Sequence, residues 1–189
     1  MVYKFVDITD DFGKEEAPDH IQGEALRLFL DVCFENATYF SFQHARWRNC
    51  KNHRLERRLD PFLVQTIESK KWFGYDYSQA PYGDEYSMKI NLYRADQSAK
   101  KHLLRWMDNI FMETNKNGKL NPSSQTLEDL CFFSKMSIIV GTVSHEHILV
   151  VEPPNEAFVR MMDFCGQWKK CRWDAYSGMP IDMGVFSKK

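Results

Sequence analysis

The chain has 189 residues, of which 43% are hydrophobic and 27% charged, and this length and composition predict one globular domain with a substantial core. Its 25 basic and 26 acidic side chains give a formal net charge of −1, which excludes a global field that would recruit nucleic acid or an anionic membrane. No uninterrupted apolar run is longer than residues 148–151, which are far too few to span a bilayer. Five cysteines without a CxxC pair indicate reduced thiols, so we expect a cytoplasmic protein with no membrane association.

The first part of the chain predicts two strands with a helix between them. Residues 2–8 alternate weakly, which favours a short edge strand. Asp19 is typical of a helix N-cap, and an apolar stripe at helical spacing follows it as far as Val32. Residues 39–44 alternate aromatic and polar side chains, as a half-buried strand does.

The central part predicts two helices, a loop and a strand. Residues 60–70 begin with Asp-Pro, which is typical of a helix start. Residues 72–86 contain two glycines, one proline and six aromatics, and this composition predicts a loop after a short strand. A longer strand is expected over residues 86–94 and a helix capped by Asp96 after it, whereas the polar residues 114–126 predict a loop.

The densest apolar segment, residues 130–154, predicts a three-stranded meander. Its runs at 130–133, 137–143 and 148–151 are rich in β-branched and aromatic residues. Asn155 then caps a last helix, and an irregular tail is expected from about residue 169.

Together these elements predict an α+β fold. We expect a mainly antiparallel sheet of about five strands, including the C-terminal three-stranded meander, flanked by about four helices. A doubly wound α/β fold is disfavoured because no glycine-rich strand-to-helix turn accompanies the early strands.

Three short motifs resemble a small family of soluble proteins from spore-forming bacteria, some of which carry a stage III sporulation label. The motifs are DNIF at residues 108–111, LCFF at 130–133 and GTVSHE at 141–146. The resemblance extends over most of the chain. Its motifs encode no known reaction, so it implies no catalytic or binding residue.

The turn between the last two strands of the meander contains His145, Glu146 and His147. In an extended backbone the two imidazoles would point to the same side and could reach one divalent metal ion. A catalytic zinc site would need a third ligand, which the sequence does not identify. The alternative is that these side chains are polar because a hairpin turn is exposed to solvent.

A basic stretch brings six cations into residues 46–58. Its candidate nucleic-acid contacts are Arg46, Trp47, Arg48, Lys51 and Arg54, since cations bind phosphates and an indole stacks on a base. The alternative is a solvated helix face paired with acidic neighbours. The nearly neutral net charge and the absence of a known nucleic-acid-binding motif count against nucleic-acid binding.

The loop at residues 72–86 offers Tyr75, Tyr77, Tyr82 and Tyr86 as a candidate protein interface. Tyrosine gives a large contact area with few rotamers to fix, and protein-binding surfaces are enriched in it. The alternative is that these rings cover the core.

The sequence therefore favours a non-catalytic protein-interaction or regulatory module without a cofactor, with a protein as its partner. One alternative is a metal-assisted, hydrolase-like enzyme that uses the turn at residues 145–147. A second alternative is a nucleic-acid-binding protein that uses residues 46–58. No nucleotide-binding or nucleophile motif is present, and the sequence does not predict an oligomeric state.

Overall fold

Eight antiparallel strands form one sheet at the centre of the protein, with helices against one of its faces. The structure is a computed structural model, and it describes residues 1–5, 21–44, 54–77, 87–111, 127–134 and 137–172. None of the helices within these ranges is long and apolar enough to cross a membrane.

The described residues form four α-helices and ten strands. The helices are α1 (Gly23–Asn36), α2 (Arg54–Leu59), α3 (Gln97–Trp106) and α4 (Glu156–Cys165). The strands are β1 (Val2–Phe5), β2 (Tyr39–His44), β3 (Leu63–Ser69), β4 (Lys71–Trp72), β5 (Tyr75–Asp76), β6 (Met88–Arg94), β7 (Leu127–Ser134), β8 (Ser137–Val143), β9 (Ile148–Val151) and β10 (Trp168–Cys171). The sheet order is β10-β1-β9-β8-β7-β2-β6-β3, and β4 pairs with β5 in a separate hairpin.

The helix-covered face of the sheet contains the larger core. Aromatic rings dominate it: the centroids of Phe34 in α1 and Phe40 in β2 lie 5.3 Å apart, and the ring of Tyr93 in β6 stacks on Phe40 at 5.2 Å. Burying one such side chain contributes roughly 1.5–3 kcal/mol. The Phe34–Phe40 contact holds α1 against β2.

The opposite face of the sheet is covered by the β4–β5 hairpin. Trp72 and Phe73 are both 1% exposed and pack on a second apolar cluster. A Cβ at Gly141 in β8 would lie 2.7 Å from the Phe73 ring, so glycine permits this close approach. Gly74 at the turn of the hairpin has a φ of +82°, a conformation that favours glycine.

The α+β class, the antiparallel sheet and the number of helices are confirmed, but about five strands was an undercount. The helix expected at residues 60–70 is wrong: a short 3-10 turn at Asp60–Phe62 leads into β3. In that helix Leu63 was expected to face the core, yet it is 41% exposed on an edge strand, and Val64 beside it is 51% exposed. Residues 63–69 form a strand because their backbone pairs with β6, and no local sequence pattern reveals this pairing.

The C-terminal prediction is also wrong: an irregular tail was expected from about residue 169, but Trp168–Cys171 form the strand β10. It pairs with β1 in an antiparallel register in which Phe5 lies opposite Trp168. The strand expected at the edge of the sheet therefore lies between β10 and β9. Residues 173–189 lie outside the described part of the chain.

The predicted helix caps are confirmed at two positions. The Asp96 side chain accepts a hydrogen bond from the Ser98 amide at 2.7 Å, and the Asn155 side chain accepts one from the Phe158 amide at 3.0 Å. The predicted cap Asp19 and the predicted loop at residues 114–126 lie outside the described residues. In the structure α1 begins at Gly23, with Gln22 at the N-cap position.

Candidate functional site

The histidine-containing turn differs from the extended backbone on which the metal prediction depended. Residues Ser144–Glu146 form a 3-10 turn, and His147 has a left-handed φ of 53°. The half-buried imidazole of His147 stacks on Phe111, with ring centroids 5.3 Å apart. Among the residues that the structure describes, which do not include the His145 side chain, no group of three His, Cys, Asp or Glu side chains could hold a metal ion. A metal bound by this turn stays a prediction, which the metal content of the purified protein would test.

A buried aspartate next to this turn was not singled out from the sequence. Asp129 in β7 is fully buried and has a left-handed φ of 56°. Its carboxylate accepts hydrogen bonds from the Ser144 amide at 2.7 Å and from the Tyr75 hydroxyl at 2.8 Å. The only signal in the sequence was an aspartate within the apolar segment LEDLCFF.

The bond to Asp129 gives Tyr75 a structural role. Burial, together with the nearby Asp129 carboxylate, raises the pKa of Tyr75 well above its ordinary value, so the hydroxyl stays protonated and remains a donor. The ring of Tyr77 lies 5.8 Å from that of Tyr75 and is half-buried. Tyr82 and Tyr86 lie outside the described residues. The described part of the aromatic loop therefore covers the sheet, and a protein interface formed by these tyrosines stays a prediction.

Most of the predicted nucleic-acid contacts also lie outside the described residues, namely Arg46, Trp47, Arg48 and Lys51. Arg54 begins α2, and its side chain is not described. The structure does describe the last two cations of the basic stretch, Arg57 and Arg58, which are exposed on α2.

These two arginines form one wall of a cleft of about 630 Å³ between α2 and α3. The described residues that line the cleft are Arg57, Arg58, His102, Arg105 and Trp106. We refer to these five residues as the α2–α3 cleft.

The amphipathic character of both helices explains the cleft. In α2, Leu55 and Leu59 are four residues apart and fully buried, so Arg57 and Arg58 are directed outward. In α3, Ala99 and Leu103 are fully buried. The lining residues of α3 stand at positions 102, 105 and 106, a spacing that places them along one stripe of the helix.

The arginines of the cleft have uncompensated charge within the described part of the chain. No carboxylate described there forms an ion pair with Arg57, Arg58 or Arg105, whereas Arg27 in α1 pairs with both Glu24 and Asp31. Glu56, the acidic residue of α2, is only 7% exposed and is directed inward. The cleft is therefore a local cationic site on a chain whose net charge is close to zero.

Two aromatic side chains complete the lining. Trp106, at the end of α3, is half-buried, and its indole supplies a flat apolar surface beside Arg105. His102 is also half-buried, and its ring lies 6.3 Å from that of Phe62. No local pattern in the sequence indicated that Arg105 and Trp106 would line the same cleft as Arg57 and Arg58.

The described lining of the cleft carries groups that bind anions and flat rings. Guanidinium groups bind phosphate or carboxylate oxygens in a bidentate manner, and an indole stacks on flat rings or cations. None of the five lining side chains that the structure describes is a carboxylate, hydroxyl or thiol.

In comparisons with protein-family models, curated protein sequences and solved structures, the chain gives no match.

Proposed function

We propose that the protein is a non-catalytic binding module that holds an anionic segment of another macromolecule in the α2–α3 cleft. The observation that supports this proposal is the arrangement of Arg57 and Arg58 on one wall and Arg105 on the other, without a carboxylate partner in the described chain. An anion between the walls would contact guanidinium groups from both helices.

The dimensions and chemistry of the cleft agree with this function. A volume of about 630 Å³ falls within the range of about 300–1,000 Å³ that is typical of ligand sites. Arginine is more weakly hydrated than lysine, so a guanidinium loses less on contact with an anion. Because the formal net charge is only −1, binding would depend on this local group of cations and would weaken as salt is added.

Charge reversal tests whether anions bind in the cleft. Retention on immobilised heparin is compared for the native protein, for the double variant Arg58→Glu with Arg105→Glu, and for a control with Lys101→Glu and Lys170→Glu. Lys101 and Lys170 are exposed and lie outside the cleft lining, and both double variants change the net charge equally.

We expect the cleft variant to elute at clearly lower salt than the native protein, and the control to elute close to it. Equal shifts in the two variants would show that retention follows net charge alone and would overturn the proposal. Circular dichroism melting of each variant establishes that it is folded.

A further inference from the structure

We propose that the anionic ligand of the α2–α3 cleft is single-stranded nucleic acid, with its phosphates on the arginines and one base on the Trp106 indole. This inference rests on the proposed function and names the class of ligand. It concerns residues of α2 and α3 whose proximity could not be predicted from the sequence.

The first step is the placement of cations on both walls. Arg57 and Arg58 are consecutive on α2, and Arg105 faces the cleft from α3. All three are exposed, so their guanidinium groups are accessible to a ligand from solvent. A chain that carries one phosphate per nucleotide could place successive phosphates against the two walls, since each guanidinium can bind phosphate oxygens in a bidentate manner.

The second step is the aromatic surface within the same cleft. Trp106 directly follows Arg105, and His102 lies one turn earlier on the same stripe of α3. An acidic peptide would satisfy the arginines, but it offers no flat ring for the indole. Proteins that bind single strands without sequence preference combine a cationic groove with aromatic side chains on which bases stack. Bases inside a duplex are already stacked, so a single strand fits this arrangement better.

The third step favours a polymer over a free nucleotide. The cations of the cleft stand on two helices, Arg57 and Arg58 on α2 and Arg105 on α3. A mononucleotide offers a single phosphate group, whereas a strand offers a separate phosphate to each helix.

The experiment separates stacking from charge. Fluorescence anisotropy measures binding of the native protein at low salt to a fluorescein-labelled 12-nucleotide oligothymidylate. It is compared with an abasic oligomer that has the same number of phosphates and with a 12-residue glutamate peptide. One stacked base makes the oligothymidylate bind about 5- to 150-fold more tightly than the abasic oligomer.

Variants then locate the stacking contact. Trp106→Leu is expected to abolish the preference for oligothymidylate over the abasic oligomer, and Trp106→Phe, which keeps a ring, to retain part of it. The fold of both variants is checked by circular dichroism. If the leucine variant fails to fold, the double variant Trp106→Phe with Arg105→Glu replaces it. A preference for oligothymidylate over the abasic oligomer as large as that of the native protein would then exclude α3 as the binding element.

The possible outcomes are distinct. Equal affinity for the oligothymidylate and the abasic oligomer would overturn the stacking inference, while the proposed anion-binding function would stand. Tighter binding of the glutamate peptide would identify an acidic protein segment as the ligand instead. Competition by thymidine monophosphate at concentrations similar to those of the oligomer would exclude a polymer. Failure of all three probes to bind would overturn the proposed function as well.

Discussion

The side-chain amide of Asn91 in β6 donates a hydrogen bond of 3.2 Å to the Oε1 atom of Glu56 in α2, and both residues are buried. The Oδ1 atom of Asn91 in turn accepts a hydrogen bond of 2.9 Å from the Thr66 hydroxyl in β3. The contact holds α2 against the end of the sheet and turns its acidic residue inward. Because the Glu56 carboxylate points inward to Asn91, it does not neutralise the charges that Arg57 and Arg58 present to the cleft.

Asn91→Ala is expected to lower the free energy of unfolding by about 1–3 kcal/mol, because it removes a donor to a buried carboxylate and the acceptor of the Thr66 hydroxyl. Urea denaturation measures the change. Gln167→Ala removes an exposed amide and serves as the control, for which we expect a change within about 0.5 kcal/mol. Equal effects of the two substitutions would show that Asn91 does not hold α2.

Tyr75→Phe is expected to destabilise the protein by about 1.5–3 kcal/mol, because the hydroxyl donates to the buried Asp129 carboxylate. Thermal or urea denaturation at neutral pH measures the loss. The control is Tyr3→Phe, since the Tyr3 hydroxyl donates to the Met1 sulfur in an exposed position. A loss for Tyr75→Phe no larger than for Tyr3→Phe would mean that the hairpin does not depend on this bond.

Gly141→Ala is expected to cost about 1–3 kcal/mol, because the added methyl group would overlap the buried ring of Phe73. A double-mutant cycle with Phe73→Leu tests this cause. The smaller side chain should relieve the overlap, so Gly141→Ala should cost less in the Phe73→Leu background. Additive effects of the two substitutions would exclude a direct clash.

The buried thiol of Cys131 predicts a loss of stability at high pH. Burial raises the pKa of Cys131 from 9.0 to about 12, so between these values the unfolded thiol is ionised while the folded thiol keeps its proton. The folded state then binds more protons, and stability falls as pH rises, by up to about 1.4 kcal/mol per pH unit for this group. The stability it contributes is fully present below pH 9.

Urea denaturation at pH 8, 9 and 10 measures this dependence. Cys131→Ala should make the decline above pH 9 shallower, apart from any loss of stability caused by the smaller side chain. Cys171→Ala, which removes a partly exposed thiol, is the control and should change the slope less. The same slope in both variants would rule out Cys131 as a source of the pH dependence.

The amino-acid sequence by itself determined the elements whose signals are local. The caps at Asp96 and Asn155 depend on side chains that reach amides two or three residues away, so they could be predicted. The strands Ser137–Val143 and Ile148–Val151 were predicted with the bounds that the structure has, because their apolar runs end at polar turn residues.

Only the tertiary structure decided the features that join distant parts of the chain. The strand β10 exists because it pairs with β1 at the other end of the described chain, and β3 exists because it pairs with β6. The role of Asp129 depends on its hydrogen bonds with Tyr75 and Ser144, which belong to other elements. The sequence showed Arg57 and Arg58 as part of a basic stretch, but the packing of α2 beside α3 placed Arg105 and Trp106 opposite them. Local propensity acts over a few residues, whereas a cleft depends on which buried faces meet, and that is settled by packing across the whole core.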